Sequence, residues 1–361
     1  MTDPTPLAAL TTMRVGGPPA ELLAPETEQE LVAAVLGAWR DEGDAPPLVL
    51  GGGSNVVAPD DGYPGTVILT GGVRGIESIA AAGGGVRFRV AAGEDWDGFV
   101  AFTVDRGLAG LAELSGIPGT VGAAPVQNIG AYGAEVAECL VAIDFLDEAT
   151  GRTLRLEREE LELGYRTSAL KAGRGGVVLA VEFELREGGR STVGYPQLAA
   201  ALGVEVGGTV PVGEVREAVL RIRAEKGMLV GPGMPASCGS FFTNPIVDEN
   251  WARSLPPEAP RFPVGEGEVD LVAPLEAGAQ PRAFADRRDV KLSAAWLIEA
   301  AGIPKGYALP GSRARVSPRH SLSITNAGGA SAAEVLQLAT FIQARVAADF
   351  GINLQPEPRI L

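Results

Sequence analysis

The 361-residue chain has two cysteines, one histidine and no run of basic residues. Cys139 and Cys238 are too few for a disulfide framework, and their spacing suits no metal, so no metal site is expected and a reducing compartment fits. The formal charge of −15, with no Lys/Arg cluster to neutralise phosphates, argues against a nucleic-acid partner. An anionic substrate would have to be met by a few placed cations. Residues 1–10 contain no basic segment followed by an apolar run, so no secretory leader is expected and a cytoplasmic location is. Residues 114–134 carry no charge and are long enough to cross a bilayer. Their five glycines, two prolines, Gln127 and Asn128 make a poor membrane helix, so no membrane partner is expected.

What is present is ordinary globular composition, 46% hydrophobic and 21% charged, in a chain longer than one core usually takes. Two or three subdomains follow. Thr27 and Glu30 form a capping-box pattern ahead of Leu31, Val35 and Trp39 at helical spacing, which predicts a helix over 27–40. Short apolar runs at 47–50, 56–57, 66–69 and 86–91 read as strands, and Trp96, Phe99, Val100 and Val104 as a helix. Alternation over 141–145 and 154–156 around Thr150-Gly151 predicts a hairpin. A short helix is expected over 159–165 and a strand over 177–185. Later helices are expected at 212–226, at 292–301, and after a Ser331/Glu334 cap, with an irregular proline-rich stretch at 255–281 between them. The mixture is α+β, with a boundary near 212–226.

Two glycine-rich stretches carry the chemistry. Gly51, Gly52, Gly53, Ser54 and Asn55 follow an apolar strand and offer consecutive backbone N–H groups and a hydroxyl, which suits a diphosphate. The run lacks the third glycine and acidic residue of the dinucleotide fingerprint and the lysine of a P-loop, so a plain tight turn competes with this reading. In residues 117–133 small side chains would let backbone approach a large flat ligand, while Gln127 and Asn128 hydrogen-bond it; the alternative is a buried linker.

Together with residues 11–17 (Thr-Thr-Met-Arg-Val-Gly-Gly), these stretches resemble the FAD-binding half of the UDP-N-acetylenolpyruvoylglucosamine reductase family, within the vanillyl-alcohol-oxidase-like flavoproteins. Residues 165–168 (Tyr-Arg-Thr-Ser), 239–245 (Gly-Ser-Phe-Phe-Thr-Asn-Pro), 291–298 (Lys-Leu-Ser-Ala-Ala-Trp-Leu-Ile) and 354–359 (Leu-Gln-Pro-Glu-Pro-Arg) are similar to that family's later motifs, in order. The resemblance implies a vanillyl-alcohol-oxidase-like FAD-binding fold of two subdomains, 1–70 and 71–210. It adds a third α+β substrate-binding domain at 211–330 and a C-terminal helix and segment, 331–361, that returns to the active site.

It also implies a reaction: hydride passes from NADPH through FAD to the enolpyruvyl ether of UDP-N-acetylglucosamine enolpyruvate, giving UDP-N-acetylmuramate. FAD contacts would come from Gly51, Gly52, Gly53, Ser54, Asn55, Val56, Ile117, Gly119, Thr120, Gly122, Ala123, Asn128, Gly130 and Val181. Ser240 matches the proton donor, Arg166 the arginine on the substrate carboxylate, and Glu357 its partner, whose pKa should be raised if it touches that carboxylate. Tyr132, Tyr195, Lys226, Asn244, His320 and Arg359 fall where the family places substrate contacts. Tyr195, within 188–206, resembles the class with a tyrosine loop, and a monomer is expected. Each residue has a plain alternative: a turn serine, a surface arginine, a solvated lysine at a helix end, a satisfied histidine. The chain departs from the pattern at Cys238 and in a longer Lys226-to-Ser240 spacing. A flavoprotein acting on a small alcohol and a flavin-free binding protein are the competing readings.

Overall fold

A computed structural model of the chain describes residues 4–41, 43, 45–81, 85–264 and 289–361. Its first layer is a parallel sheet formed by β1 (Pro19–Leu23), β2 (Leu48–Leu50) and the central β4 (Tyr63–Leu69), with α1 (Glu28–Ala38) between β1 and β2 and the short β3 (Val56–Val57) before β4. Side chains alternate across β4, so Val67 packs with Leu7, Leu48 and Leu50 on one face and Ile68 with Leu31 and Val35 of α1 on the other. Thr27 caps α1 by accepting the Glu30 N–H at 3.2 Å. The expected capping box is half built, because the Glu30 carboxylate accepts from Glu26 N–H instead.

The second layer is an antiparallel sheet in the order β10-β9-β11-β6-β5, made of β5 (Ile76–Ile79), β6 (Val86–Ala91), β9 (Leu140–Asp147), β10 (Arg152–Glu157) and β11 (Gly176–Leu185). Between β6 and β9 come α2 (Trp96–Asp105) and the small hairpin of β7 (Gly130–Ala131) and β8 (Ala134–Glu135). One face buries Phe88, Trp96, Phe99, Phe145 and Phe183; the other meets α1 through Leu146, Val177 and Leu179. The uncharged stretch 114–134 is no long helix but a 3-10 segment, Val121–Gln127, followed by the hairpin. The short helix expected at 159–165 is only a 3-10 turn, Arg158–Leu161, because Glu162 turns left-handed at φ 47°.

The ribbon of β12 (Arg190–Thr192) and β13 (Thr209–Pro211), with α3 (Pro196–Leu202) between them and α4 (Val212–Glu225) after them, shares one apolar core. Val210 and Val212, on either side of position 211, both belong to it.

The last part carries two three-stranded sheets. One is formed by β14 (Ala236–Ser237), β18 (Ala314–Val316) and β19 (Ile324–Asn326), the other by β15 (Ile246–Asp248), β16 (Arg261–Pro263) and β17 (Asp289–Leu292). The short α5 (Glu249–Ala252) follows β15. Helices α6 (Ala294–Ala300) and α7 (Ala332–Phe350) cover a core that buries Val335, Leu338, Ile342 and Val346. Fully burying those four is worth roughly 6–12 kcal/mol. The expected helix at 292–301 starts two residues late: Leu292 ends β17, and Ser293 caps α6 by accepting the Trp296 N–H at 3.2 Å. The serine side chain competes for the first-turn N–H groups and so sets the start. Most of the expected irregular stretch, 265–281, lies outside the described residues. After α7 the chain returns to the first layer, where β20 (Arg359–Ile360) pairs parallel with β3.

Candidate active site

Residues 51–55 leave β2 as a loop whose five backbone N–H groups have no protein partner among the described residues. The glycines are required by close approach. Gly53 has φ 58°, and a Cβ there would fall on the Leu10 carbonyl oxygen; a Cβ on Gly52 would sit 2.7 Å from the Gly119 Cα, and one on Gly51 2.6 Å from Thr120 Oγ1. The two glycine-rich stretches therefore lie backbone against backbone. Ser54 Oγ donates to the Pro118 carbonyl at 2.9 Å, which leaves its lone pairs, not its proton, for any ligand.

The second stretch mixes buried and more open positions. Gly122 is pressed on Ala92, to whose carbonyl its N–H donates at 2.9 Å. Asn128 is buried at φ 43°, its Nδ2 donating to Glu135 (2.6 Å) and the Gly164 carbonyl (3.0 Å) and its Oδ1 accepting from Ala137 N–H. Val181 is fully buried in β11. Ile117 and Gly119 are half-buried, Ala123 is exposed, and Thr120 Oγ1 is a buried hydroxyl with no partner among the described residues. Gly130 gives its carbonyl to Arg166 Nη2 at 2.6 Å, and Val56 gives its carbonyl to Cys238 Sγ at 3.4 Å.

The structure brings Arg166, Glu357 and Ser240 into one neighbourhood. Arg166 occupies a tight turn in which Gly164 and Thr167 exchange backbone hydrogen bonds, and it holds φ 55°, a strained value for a side-chain-bearing residue. Its Nε lies 3.3 Å from Glu357 Oε1, and Lys171 Nζ donates to its carbonyl at 2.7 Å. The segment around Glu357 runs antiparallel to the serine motif: Glu357 N–H donates to the Phe241 carbonyl at 2.9 Å and Thr243 N–H to Gln355 at 3.0 Å. Phe241 and Phe242 are buried in the C-terminal core and anchor that ladder. Ser240, half-buried between left-handed Gly239 and Phe241, has a hydroxyl with no partner among the described residues. Burial pushes the Glu357 carboxyl above its ordinary range; Arg166, Lys171 and a hydrogen bond from Gln127 oppose the shift. Burial likewise pushes the nearby Cys238 thiol up to about 12, so it stays protonated and inert.

A second cluster collects Tyr132, Tyr195, Lys226 and His320. Tyr132, at φ 52°, meets Tyr195 edge to face at 5.8 Å; Lys226 Nζ stands 5.7 Å over the Tyr132 ring and donates to Gln197 at 2.7 Å. Tyr195 opens α3 and is exposed. Burial beside Lys226 and Lys305 pulls His320 down to about 4, so it is neutral at pH 7. Asn244 is engaged elsewhere, its Oδ1 accepting from Ala294 N–H at 3.0 Å while the Tyr165 phenol bonds to the same residue. Arg359 is exposed on β20.

Sequence reasoning missed four contributors: Gln127 as a partner of Glu357, Lys171, Arg223 and Lys291. Lys291 Nζ lies 4.4 Å over the Tyr165 ring, and the Arg166 guanidinium lies 5.4 Å from the same ring. Lys171 and Lys291 lie in or near quoted motifs, which was the available signal. Arg223 carried none beyond its place one turn before Lys226.

A parallel first layer, an antiparallel second layer and two abutting glycine loops define a flavoprotein oxidoreductase of the FAD-binding-domain class, and residues 19–157 match the family model described as FAD binding domain. Residues 232–361 match the model of the UDP-N-acetylenolpyruvoylglucosamine reductase C-terminal domain. Reductases of that name from Leifsonia xyli subsp. xyli (53% identical, 99% of this chain and 98% of theirs) and Saccharopolyspora erythraea (46%, 98% and 93%) align with it. The crystal structure of UDP-N-acetylenolpyruvylglucosamine reductase from Thermus caldophilus superposes with a TM-score of 0.63 at 28% identity, covering 99% of this chain and 97% of that one. The chain belongs to the UDP-N-acetylenolpyruvoylglucosamine reductase family.

The residues present fit FAD. The open N–H groups of 51–55 suit a diphosphate, and the orphaned Thr120 hydroxyl beside Gly51 is a buried donor awaiting an acceptor.

Proposed function

We propose that the chain reduces UDP-N-acetylglucosamine enolpyruvate to UDP-N-acetylmuramate with NADPH as electron donor, as a cytoplasmic monomer supplying peptidoglycan precursors. FAD, held by residues 51–55 and by Thr120, supplies when bound the hydride that NADPH provides. The chain's own residues do the rest. Arg166 presents a planar fork to the substrate carboxylate, and its left-handed backbone, tied by Lys171, fixes the direction of that fork. Glu357, with its pKa raised by burial, can stand beside the same carboxylate as a neutral donor without repelling it. Ser240 holds the proton for the alkene carbon that does not take hydride. Tyr132, Tyr195, Lys226 and neutral His320 offer one cation, two phenols and an imidazole to the sugar diphosphate.

The observation that carries this reading is the Arg166–Glu357 pair at 3.3 Å, joined to the Ser240 segment through the Glu357-to-Phe241 backbone bond. Ser240→Ala is expected to keep FAD and its bleaching by NADPH while turnover of the enolpyruvyl sugar nucleotide falls by about 10²- to 10⁴-fold. Unchanged turnover removes Ser240 as proton donor. A protein that binds no flavin removes the whole reading.

A further inference from the structure

Gln127 stands in the stretch that would face a flat ligand, yet both ends of its amide are engaged by protein. Asn55 Nδ2 donates to Gln127 Oε1 at 3.0 Å, and Gln127 Nε2 donates to Glu357 Oε1 at 3.2 Å. The same Asn55 nitrogen donates to the Glu357 backbone carbonyl at 3.1 Å. Asn55 can offer this contact only a donor, so the Gln127 oxygen must face it and the NH2 must face Glu357. Glu357 Oε1 is thereby held from two sides, by the amide N–H and by Arg166 Nε at 3.3 Å. A flipped amide would set oxygen against oxygen.

We propose that Gln127 is a positioning residue of the reduction: oriented by Asn55, it fixes the Glu357 carboxyl against Arg166 and biases that carboxyl's ionisation. This rests on the roles given above to Arg166 and Glu357. Among the described residues, the titratable groups that face Glu357 are Arg166, Lys171, Tyr165 and Cys238. Burial raises the carboxyl's pKa, and the two cations lower it together with the Gln127 hydrogen bond. An N–H donated to a carboxylate favours the charged form, so losing it shifts the Glu357 titration to higher pH.

The test uses the FAD-loaded enzyme, with kcat measured across pH for the unsubstituted chain, Gln127→Met and Gln127→Glu, and the Glu357 limb assigned by its loss in Glu357→Gln. Met keeps the length and removes the donor; Glu sets a like charge beside the carboxyl. Both variants are expected to retain FAD, to lose about tenfold or more in kcat, and to move the Glu357 limb to higher pH. A limb unmoved in both, or an effect confined to KM, overturns the proposal and makes Gln127 a ligand contact. A 13C-detected carboxyl titration without substrate, in which the Glu357 signal should move up in Gln127→Met, checks the same point; an unmoved signal also overturns it. Failure of the unsubstituted enzyme to reduce the sugar nucleotide would remove the functional reading, and the carboxyl titration would then judge Gln127 alone.

Discussion

Thr120 shows what one buried hydroxyl can report. A hydroxyl taken from water without a partner costs stability, and such groups in native proteins generally meet something. Thr120 Oγ1 meets nothing among the described residues and lies beside the Gly51 backbone, where the open N–H groups begin. Thr120→Val keeps the shape and removes the polar atom. The FAD-free protein is therefore expected to gain about 1 kcal/mol of stability, read from its urea midpoint, while FAD affinity falls by about tenfold. Affinity equal to the parent's would show that the hydroxyl never faces the cofactor. Gly52 is a sharper case: the Cβ of Gly52→Ala would sit 2.7 Å from the Gly119 Cα, with backbone on both sides and no flexible group to yield. That variant is expected to purify with less FAD than the parent, seen directly in its visible spectrum.

Among the elements, α4 ties the Tyr132–Lys226 cluster to the second glycine-rich stretch. Its Arg223 is buried, Nε donating to the Gly116 carbonyl at 3.1 Å and Nη2 to the Met228 carbonyl at 3.2 Å, with the Tyr132 phenol as a third partner. One guanidinium thus ties the start of the second glycine stretch to the residues after Lys226. Arg223→Met leaves both carbonyls unanswered and is expected to cost about 2–3 kcal/mol in chemical denaturation. Burial already raises the Tyr132 phenol and Arg223 restrains it, so in this variant the tyrosinate absorbance should appear at still higher pH; an unmoved titration would separate the two residues. Elements with a strong local signal were readable in the sequence: the Thr27 cap, the hairpin around Thr150-Gly151 and the Ser331/Glu334 box all form, the last with both reciprocal bonds. The errors lie where a local pattern meets a tertiary demand. Leu292, expected to open a helix, instead ends a strand opposite Arg261, and left-handed Glu162 stops the helix expected at 159–165. Motif spacing also does not show that the Asn128 amide bonds Glu135 and the Gly164 carbonyl. The Asn55–Gln127–Glu357 chain joins residues up to 302 positions apart, a separation that motif spacing does not encode.

For the molecule as a whole, acid should open the seam between the C-terminal part and α4, through the only histidine. The loop that carries His320 is bound to the end of α4 by Arg319 Nη1 on the Ala224 carbonyl at 2.9 Å, and His320 itself faces Lys226, Lys305 and Glu299. Burial is the largest cause of its low pKa, the two lysines add to it, and Glu299 opposes it. The folded value of about 4 lies below the ordinary 6.5, so between those limits the unfolded chain binds more protons than the folded one. The contribution is therefore fully present above pH 6.5 and is lost as pH falls through about 4, a loss of about 3 kcal/mol in all. Glu357 acts in the opposite sense, since a carboxyl whose folded pKa is raised favours the folded state less as pH rises through its titration. A bulk pH curve would mix the two, whereas the difference between the parent and His320→Gln isolates the histidine. Urea midpoints of the parent should drop from pH 7 to pH 4.5 by more than those of His320→Gln. Equal drops would mean that His320 is protonated in the folded protein, and that the lysines around it do not set its charge.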